Sequence, residues 1–412
     1  MIIDKLRYFK LDELEFFIYI PNLAVIKTKT VREKVVGFEV DFLPVGENEY
    51  CGDAIAIRFW EPTNFKSQRV WIIDGGTKES GEALVDHIRK YYQTNLVNVV
   101  VSTHPDLDHV SGLSVVLEKM EVKYLLIHQP WNYAQEVHQL FKDKRVTPPG
   151  IEKRVLQTLQ SAYDLETIAE KKNIKIIEPF SSNNSYKLGS NAKVYILSPS
   201  ETFYQNQLAN FRCMPNVEKK KSLSEILVKE QTTTISATRE KWTLETLIDP
   251  EDNDTSAENN SSVILLFEID NHRLLFTGDA GVPALNEAVK LAKNLNIDLT
   301  TVKFIQVPHH GSKRNVGPTI LNQIIGPNVY SIYKIMGPIN DSRPYEKTAF
   351  ISAPKNGQPK HPYKKVVNAF RRRRAKVFAT SGKGLWYHSQ DAPPRDHYYS
   401  AKPLPFYDKV DD

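Results

Sequence analysis

Apolar positions along the chain fall into short β-branched runs that stop abruptly at ionisable tips, alternating with stretches of helical period. Val97 to Leu117 sets the pattern: the run VNVVV, the polar turn STHPDLDH, then Val110, Leu113, Val116 and Leu117 on one helical face. This predicts a buried strand that delivers a loop onto a helix start. From Phe38, FEVDFLPVG alternates as a half-buried strand does, and Ala54–Trp60 with Arg69–Asp74 predicts a hairpin whose second arm ends WIIDGG. Leu84, Val85, Ile88 and Tyr91 predict a helix over 81–92, and Val122–Ile127 a strand ending at His128. Ile151, Val155, Leu159 and Tyr163 mark one long amphipathic helix, followed by strands at Ile174–Ile177 and Val194–Leu197. SSVILLFEIDNHRLLFTGDA predicts two strands around an Asp270–Asn271 turn, and a helix from Pro283 to about Leu295 follows. VKFIQV then runs into PHHGSKRN; a strand at Val329–Ile335, a helix starting near Pro362 and a strand at Ala375–Ala379 close the series. Strands alternating with helices imply an α/β protein with sheets buried by helices.

The rhythm breaks over 200–261, which is polar, carries Lys219–Lys221 and closes with PEDNDTSAENNSS. Such a segment is expected to bury little and to move, either as a lid or as surface decoration. The organisation expected is an N-terminal extension over 1–37, one domain over 38–390 containing the 200–261 insertion, and a tail over 391–412. Apolar residues make up 41% of the 412, enough for a sizeable core, and no apolar run is long enough to cross a bilayer. The start lacks a small-residue cleavage site, so no signal peptide and a cytoplasmic location are expected. Cys51 and Cys213 form no CxxC pattern, which leaves histidine and carboxylates as the metal ligands. A net charge of +5 permits a polyanionic partner without demanding one.

The strand tips carry the chemistry. His104, Asp106, Asp108 and His109 lie within six residues, more than capping the next helix needs, and suit one or two divalent cations. Asp74 stands before two glycines at a strand end, where orienting a ligand and bonding the turn are the alternatives. Asp279 ends a third strand, and His309 and His310 a fourth.

Together HPDLDH, GDA and PHHGS resemble the metallo-β-lactamase fold superfamily, which implies a four-layer αβ/βα sandwich of two mixed sheets with metals at their shared edge. The superfamily's His-x-His-x-Asp-His is matched at His104, Asp108 and His109, with Asp106 replacing the second histidine. That replacement is shared with the soluble metal-hydrolase domain of ComEC-like DNA-uptake proteins. These carry a similar THPDxDH, an early Gly-Asp-Ala (Gly52, Asp53, Ala54), an Asn-x-Ser strand start (Asn260 to Ser262), PHHGS and a late His-Pro (His361, Pro362). The membrane portion of those proteins is missing from the likeness, which runs from about Phe38 to Trp386.

A carboxylate such as Asp279 can bridge two cations at roughly 3.5–4 Å. His104 and Asp106 are then expected to serve one metal, and Asp108, His109 and one of His309 and His310 the other. The remaining imidazole of the pair would protonate a leaving group or bind an oxyanion. A water shared by the cations loses its proton near neutral pH and becomes the nucleophile. The expected catalytic residues are thus Asp108, Asp279 and His310, and the resemblance to the ComEC-like His-Pro implies His361 as well. The oxygen-rich set favours manganese or magnesium more than a three-histidine zinc site does, so Zn2+ or Mn2+ is expected, with Mg2+ as an alternative. His128 is the best placed of His128, His138 and His272 for a further ligand, although a strand-end histidine is more often hydrogen-bonded at the surface. Lys313 and Arg314 are candidate phosphate contacts, whereas Arg371–Arg374 reads first as a solvated helix end.

The leading expectation is a metal-dependent phosphodiesterase or nuclease acting on DNA or RNA. The alternatives are a hydrolase of a small ester, lactone or phosphorylated metabolite, and a non-catalytic metal-containing component of a defence or uptake assembly with partner proteins. An enclosed apolar pocket under the insertion would favour the small substrate, an open basic groove the nucleic acid.

Overall fold

A computed structural model describes residues 36–46, 52–61, 64–141, 145–183, 185–188, 191–215, 237–330, 346–356, 361–395 and 401–411. Two seven-stranded sheets form the centre. The first takes β1 (Gly37–Phe42), β2 (Ala54–Glu61), β3 (Asn64–Gly75), β4 (Leu96–Val101), β5 (Glu121–Leu126) and β6 (Lys175–Ile177). The second takes β7 (Ser185–Lys187), β8 (Ala192–Ser198), β10 (Ile264–Ile269), β11 (His272–Phe276), β12 (Phe304–Gln306), β13 (Lys347–Ile351) and β14 (Ala375–Ala379); β9 (Ala237–Arg239) lies outside it. A last sheet-one strand, β15 (Leu385–His388), pairs antiparallel with β1 from the far end of the chain.

Each sheet is mixed. β15, β1, β2 and β3 run antiparallel, then β3 to β6 parallel. In the other, β14 to β11 run parallel and β11, β10, β8 and β7 antiparallel. Period 2 places alternate residues on opposite faces. On β3, Trp71 and Ile73 enter the core between the sheets with Phe42, Phe267, Phe276, Phe304 and Phe350, while Val70 and Ile72 face the helices outside. Both faces are covered, which is why these strands read as near-continuous apolar runs.

Helices α1 (Lys78–His87), α2 (Leu107–Lys119), α3 (Pro148–Thr158) and α4 (Gln160–Lys171) cover the first sheet. Helices α5 (Val282–Asn294) and α6 (Lys364–Arg372) cover the second. The result is the four-layer αβ/βα sandwich of two mixed sheets that the resemblance implied. Among the described residues, no helix is long and apolar enough to cross a membrane.

Five local expectations change. Arg372 and Arg373, expected at a solvated helix end, are buried and paired with Glu240 and Glu245. The single helix through Ile151 and Tyr163 is two helices, because Leu159 leaves helical geometry (φ −104°, ψ 30°). The helix over 81–92 begins earlier, where the Thr77 side chain accepts from the Ser80 N–H, and its last turn is a π-helix over Ile88–Tyr92. The stretch through 255–262 is not a loose surface segment: Thr255, Glu258, Asn259, Asn260, Ser261 and Ser262 are buried. Polar residues can be buried where partners await them: Ser256 Oγ accepts from Asn259 N, and Ser262 Oγ from Asp279 N. Of the strand expected over Val329–Ile335, Val329 and Tyr330 are helical and the rest lies outside the described residues, as does Lys219–Lys221. Near the C-terminus, β16 (Lys409–Asp411) pairs with β9, and Arg395 bonds the buried Asp41 of β1.

Candidate metal centre

All the strand tips singled out in the sequence open on one edge of the sandwich. β4 leads into Ser102, Thr103 and His104, and Asp106 opens α2, which presents Asp108 and His109 in its first turn. That helix seats so closely on the end of β3 that a Cβ on Gly112 would stand 2.0 Å from the Gly75 carbonyl oxygen. From the other sheet, Gly278 turns at φ 50° and delivers Asp279. His309 and His310 are consecutive left-handed residues (φ 45° and 55°) in the turn after β12, a costly conformation that points both rings into the site.

The centre of the arrangement is one oxygen, Asp279 Oδ2. Around it stand His109 Nε2 at 3.4 Å and the Nε2 atoms of His104, His309 and His310 at 3.7 Å each. The opposite ring nitrogens are taken up elsewhere. His109 Nδ1 meets Asp74 Oδ2 at 2.8 Å, His309 Nδ1 meets Asn315 Oδ1 at 2.8 Å and His310 Nδ1 meets the Ser352 carbonyl at 3.1 Å. His104 Nδ1 lies 3.0 Å from Thr103 Oγ1, whose proton goes to Asp74 Oδ2 at 2.6 Å, leaving the hydroxyl oxygen to accept. With each Nδ1–H donated outward, a ring that carries no second proton turns its Nε2 lone pair on a carboxylate. Lone pairs facing an anion repel unless positive charge lies between them. His104 Nε2, His109 Nε2 and Asp279 Oδ1 are buried without hydrogen-bond partners, as metal-ligating atoms would be.

The carboxylates draw positive charge onto the imidazole nearest them. Burial works against charge on His109, yet the Asp279 and Asp74 carboxylates raise it well above the usual histidine range. Burial likewise opposes charge on Asp279, but His109, His309 and His310 hold it well below the carboxylate range. His310 is pushed down to about 4 by burial, against the pull of Asp279. His104 is lowered by burial and then by His109.

Donor atoms gather in four groups within 4.8 Å: Asp74, His104, His109; Asp108, His109, His310; Asp279, His309, His310; and Asp53, His109, Asp279. These histidine and carboxylate sets fit divalent cations. Of the residues expected from sequence, His104, Asp108, His109, Asp279, His309 and His310 come together, and Asp74 lies behind His109 and Thr103. Asp106 stands apart from these groups. One of its oxygens is 3.9 Å from His104 Nε2, and the other is held at 2.6 Å by Arg212 from the insertion, whose Nε bonds the buried Glu258 at 3.0 Å.

His361 lies at the rim, its ring 6.4 Å and 6.5 Å from those of His309 and His310, with burial pushing it down to about 3. The Lys313 ammonium sits over the Tyr363 ring at 5.3 Å, and the carbonyl of Arg314 accepts from Thr255 Oγ1. His128 joins none of the donor groups. It stacks on Tyr204 at 4.3 Å and lines, with His104, Pro105 and Ser261, a narrow cavity with room for about one water.

Sequence reasoning gave no role to Arg212 or to the layer beneath the ligands: Asp53, Gln306, Asn315 and Ser352. Only Asp53 carried a signal, through the Gly-Asp-Ala likeness. Burial, reinforced by the nearby Asp279 and Asp74 charges, pushes its carboxyl up to about 7.

No family model matches the chain. Over 138 residues it is 28% identical to ComE operon protein 3 of Bacillus subtilis, a stretch covering 34% of this chain and 15% of that protein's length. Similar solved structures include a putative metallo-β-lactamase from Thermotoga maritima (12% identity, 64% of this chain and 94% of that one, TM-score 0.27). Unliganded yeast PDE1 is another (11% identity, 84% and 97% coverage, TM-score 0.38). A third is an archaeal metallo-β-lactamase superfamily protein from Sulfolobus tokodaii (15% identity, 74% and 90% coverage, TM-score 0.29).

Proposed function

We propose that this chain is a metal-dependent hydrolase of phosphodiester bonds, acting on DNA or RNA. The observation that carries the reading is the single carboxylate oxygen of Asp279 ringed by four imidazole nitrogens at 3.4–3.7 Å. His104, Asp108, His109, Asp279 and the His309/His310 pair would hold divalent cations there, while Asp106, expected beside His104, is engaged by Arg212. Manganese or zinc suits the mixed oxygen and nitrogen donors, with magnesium an alternative. Such ions lower the pKa of coordinated water towards neutrality and stabilise charge developing on phosphoryl oxygens.

The chain's own groups set the rest of the geometry. Asp74 and Asn315 orient His109 and His309 through Nδ1, so that Nε2 faces the centre. His361, kept neutral by burial, presents a hydrogen-bonding edge at the rim rather than a charge. Arg212, whose side chain is 58% exposed, and Lys313 supply cationic groups where a phosphate backbone would approach. The THPDLDH and PHHGS likeness to ComEC-like domains supports the same substrate class.

Incubation of the purified chain with single- and double-stranded DNA and RNA, with and without Mn2+, tests the reading. Cleavage that requires the metal and disappears in Asp279→Ala is expected; no cleavage, or equal cleavage by the variant, overturns it.

A further inference from the structure

The candidate centre is split between the two sheets. Asp74, His104, Asp108 and His109 stand on the first sheet's side, and Asp279, His309 and His310 on the second's. Its geometry therefore depends on how the two edges are held together.

One buried side chain reaches both halves. Asp53, 2% exposed, immediately precedes β2 in the first sheet. Its Oδ2 accepts from Gln306 Nε2 at 2.7 Å. The same amide's Oε1 accepts from Thr277 N at 2.9 Å and Gly278 N at 3.1 Å, the two residues that lead into Asp279. Asp53 Oδ1 accepts from Ser352 Oγ, and the Ser352 carbonyl accepts from His310 Nδ1 at 3.1 Å. On its own side, the neighbouring Gly52 N–H donates to Asp108 Oδ2 at 3.2 Å. We infer that Asp53 is a positioning residue, a buried bridge that sets Asp279 and His310 of one sheet against Asp108 and His109 of the other. Both its oxygens already accept from neutral donors of the second sheet, so its part lies in registering the ligands. The inference rests on the metal reading above and is independent of which substrate is cleaved.

The bridge has a chemical test, because its donors can be re-paired. In Asp53→Ala the connection is lost. In Asp53→Asn the amide oxygen still accepts from Gln306, and the amide N–H can donate to Ser352 Oγ once that hydroxyl rotates. In Gln306→Glu two carboxylates face each other, whereas adding Asp53→Asn restores a donor between them. Mn2+ titration of the metal-free protein, with no substrate present, reads the result. Expected are a tenfold or greater loss of affinity in Asp53→Ala and in Gln306→Glu, the usual scale for groups that orient metal ligands. Affinity within about threefold of wild type is expected in Asp53→Asn and in the double variant.

An Asp53→Asn protein as weak as Asp53→Ala would make the carboxylate's charge, not its bridging, the operative property and overturn the inference. So would wild-type affinity in Gln306→Glu, or a double variant no better than Gln306→Glu alone; these two keep the test alive should Asp53→Ala fail to fold. A wild-type protein that takes up no Mn2+ overturns the metal reading together with this one.

Discussion

His109 Nδ1 and Asp74 Oδ2 stand 2.8 Å apart, both fully buried, and Asp74 reaches them through a left-handed turn at φ 55°. The same carboxylate accepts from Thr103 N and Thr103 Oγ1, so it orients His109 directly and His104 through Thr103. An amide in its place has one acceptor oxygen for three donors. Asp74→Asn is therefore expected to weaken Mn2+ binding by roughly 10- to 100-fold. Titration of the folded variant checks this; unchanged affinity would deny Asp74 that part.

Arg212 acts in the opposite sense. Its guanidinium holds one oxygen of Asp106 at 2.6 Å and adds positive charge beside a centre that fits cations. Arg212→Ala is expected to tighten Mn2+ binding roughly fivefold, the scale of an exposed charge contact of about 1 kcal/mol. Weaker binding in that variant would show that the arginine supports the site.

Adding Mn2+ should stabilise the fold, since a ligand that binds only the native state contributes RT ln(1 + [L]/Kd), or about 2.7 kcal/mol at a hundredfold excess over Kd. Thermal melts with and without the metal measure it. The shift should vanish in Asp279→Ala, and a shift of equal size there would place the ion elsewhere.

Gly112 is expected to resist enlargement. Its Cβ would stand 2.0 Å from the Gly75 carbonyl oxygen and 2.4 Å from that of Thr77, both backbone atoms that a rotamer change cannot move. Gly112→Ala should destabilise the protein by about 1–3 kcal/mol and shift α2, which carries Asp108 and His109, lowering metal affinity as well. Denaturant unfolding tests the first effect and titration the second.

His128 gives the fold an acid sensitivity. Burial among aromatic rings pushes it down to about 3, so below its ordinary value near 6.5 the unfolded chain takes up a proton that the native state refuses. Native stability is complete above that value and declines as pH falls through it. Between pH 7 and pH 5 the loss from this group amounts to up to about 2 kcal/mol. His128→Phe, which keeps a ring against Tyr204, should show a smaller drop in melting temperature over that interval. An equal drop would assign the sensitivity elsewhere.

Much of this organisation was legible along the chain. Runs such as VNVVV and VKFIQV predict buried strands, and each stops at residues whose donor atoms suit cations. The closing strand Leu385–His388 was not legible, because four residues ending a chain segment carry too little periodicity to stand out, and its place beside β1 is a pairing across the whole fold. Asn259, Asn260, Ser261 and Ser262 read as a solvated loop because composition reports polarity but not the partners that make burial tolerable.

Residue types and their spacing alone determined the α/β class, the strand tips that carry chemistry, and the histidine and carboxylate character of the centre. These follow from local periodicity and from what each side chain can donate. Only the tertiary structure decided which oxygen the imidazoles share, that Arg212 takes hold of Asp106, and that Asp53 meets Gln306 across 253 residues. The physical reason is that periodicity tells a residue which face of its own strand it occupies, whereas the group opposite is chosen by the packing of one whole sheet on the other.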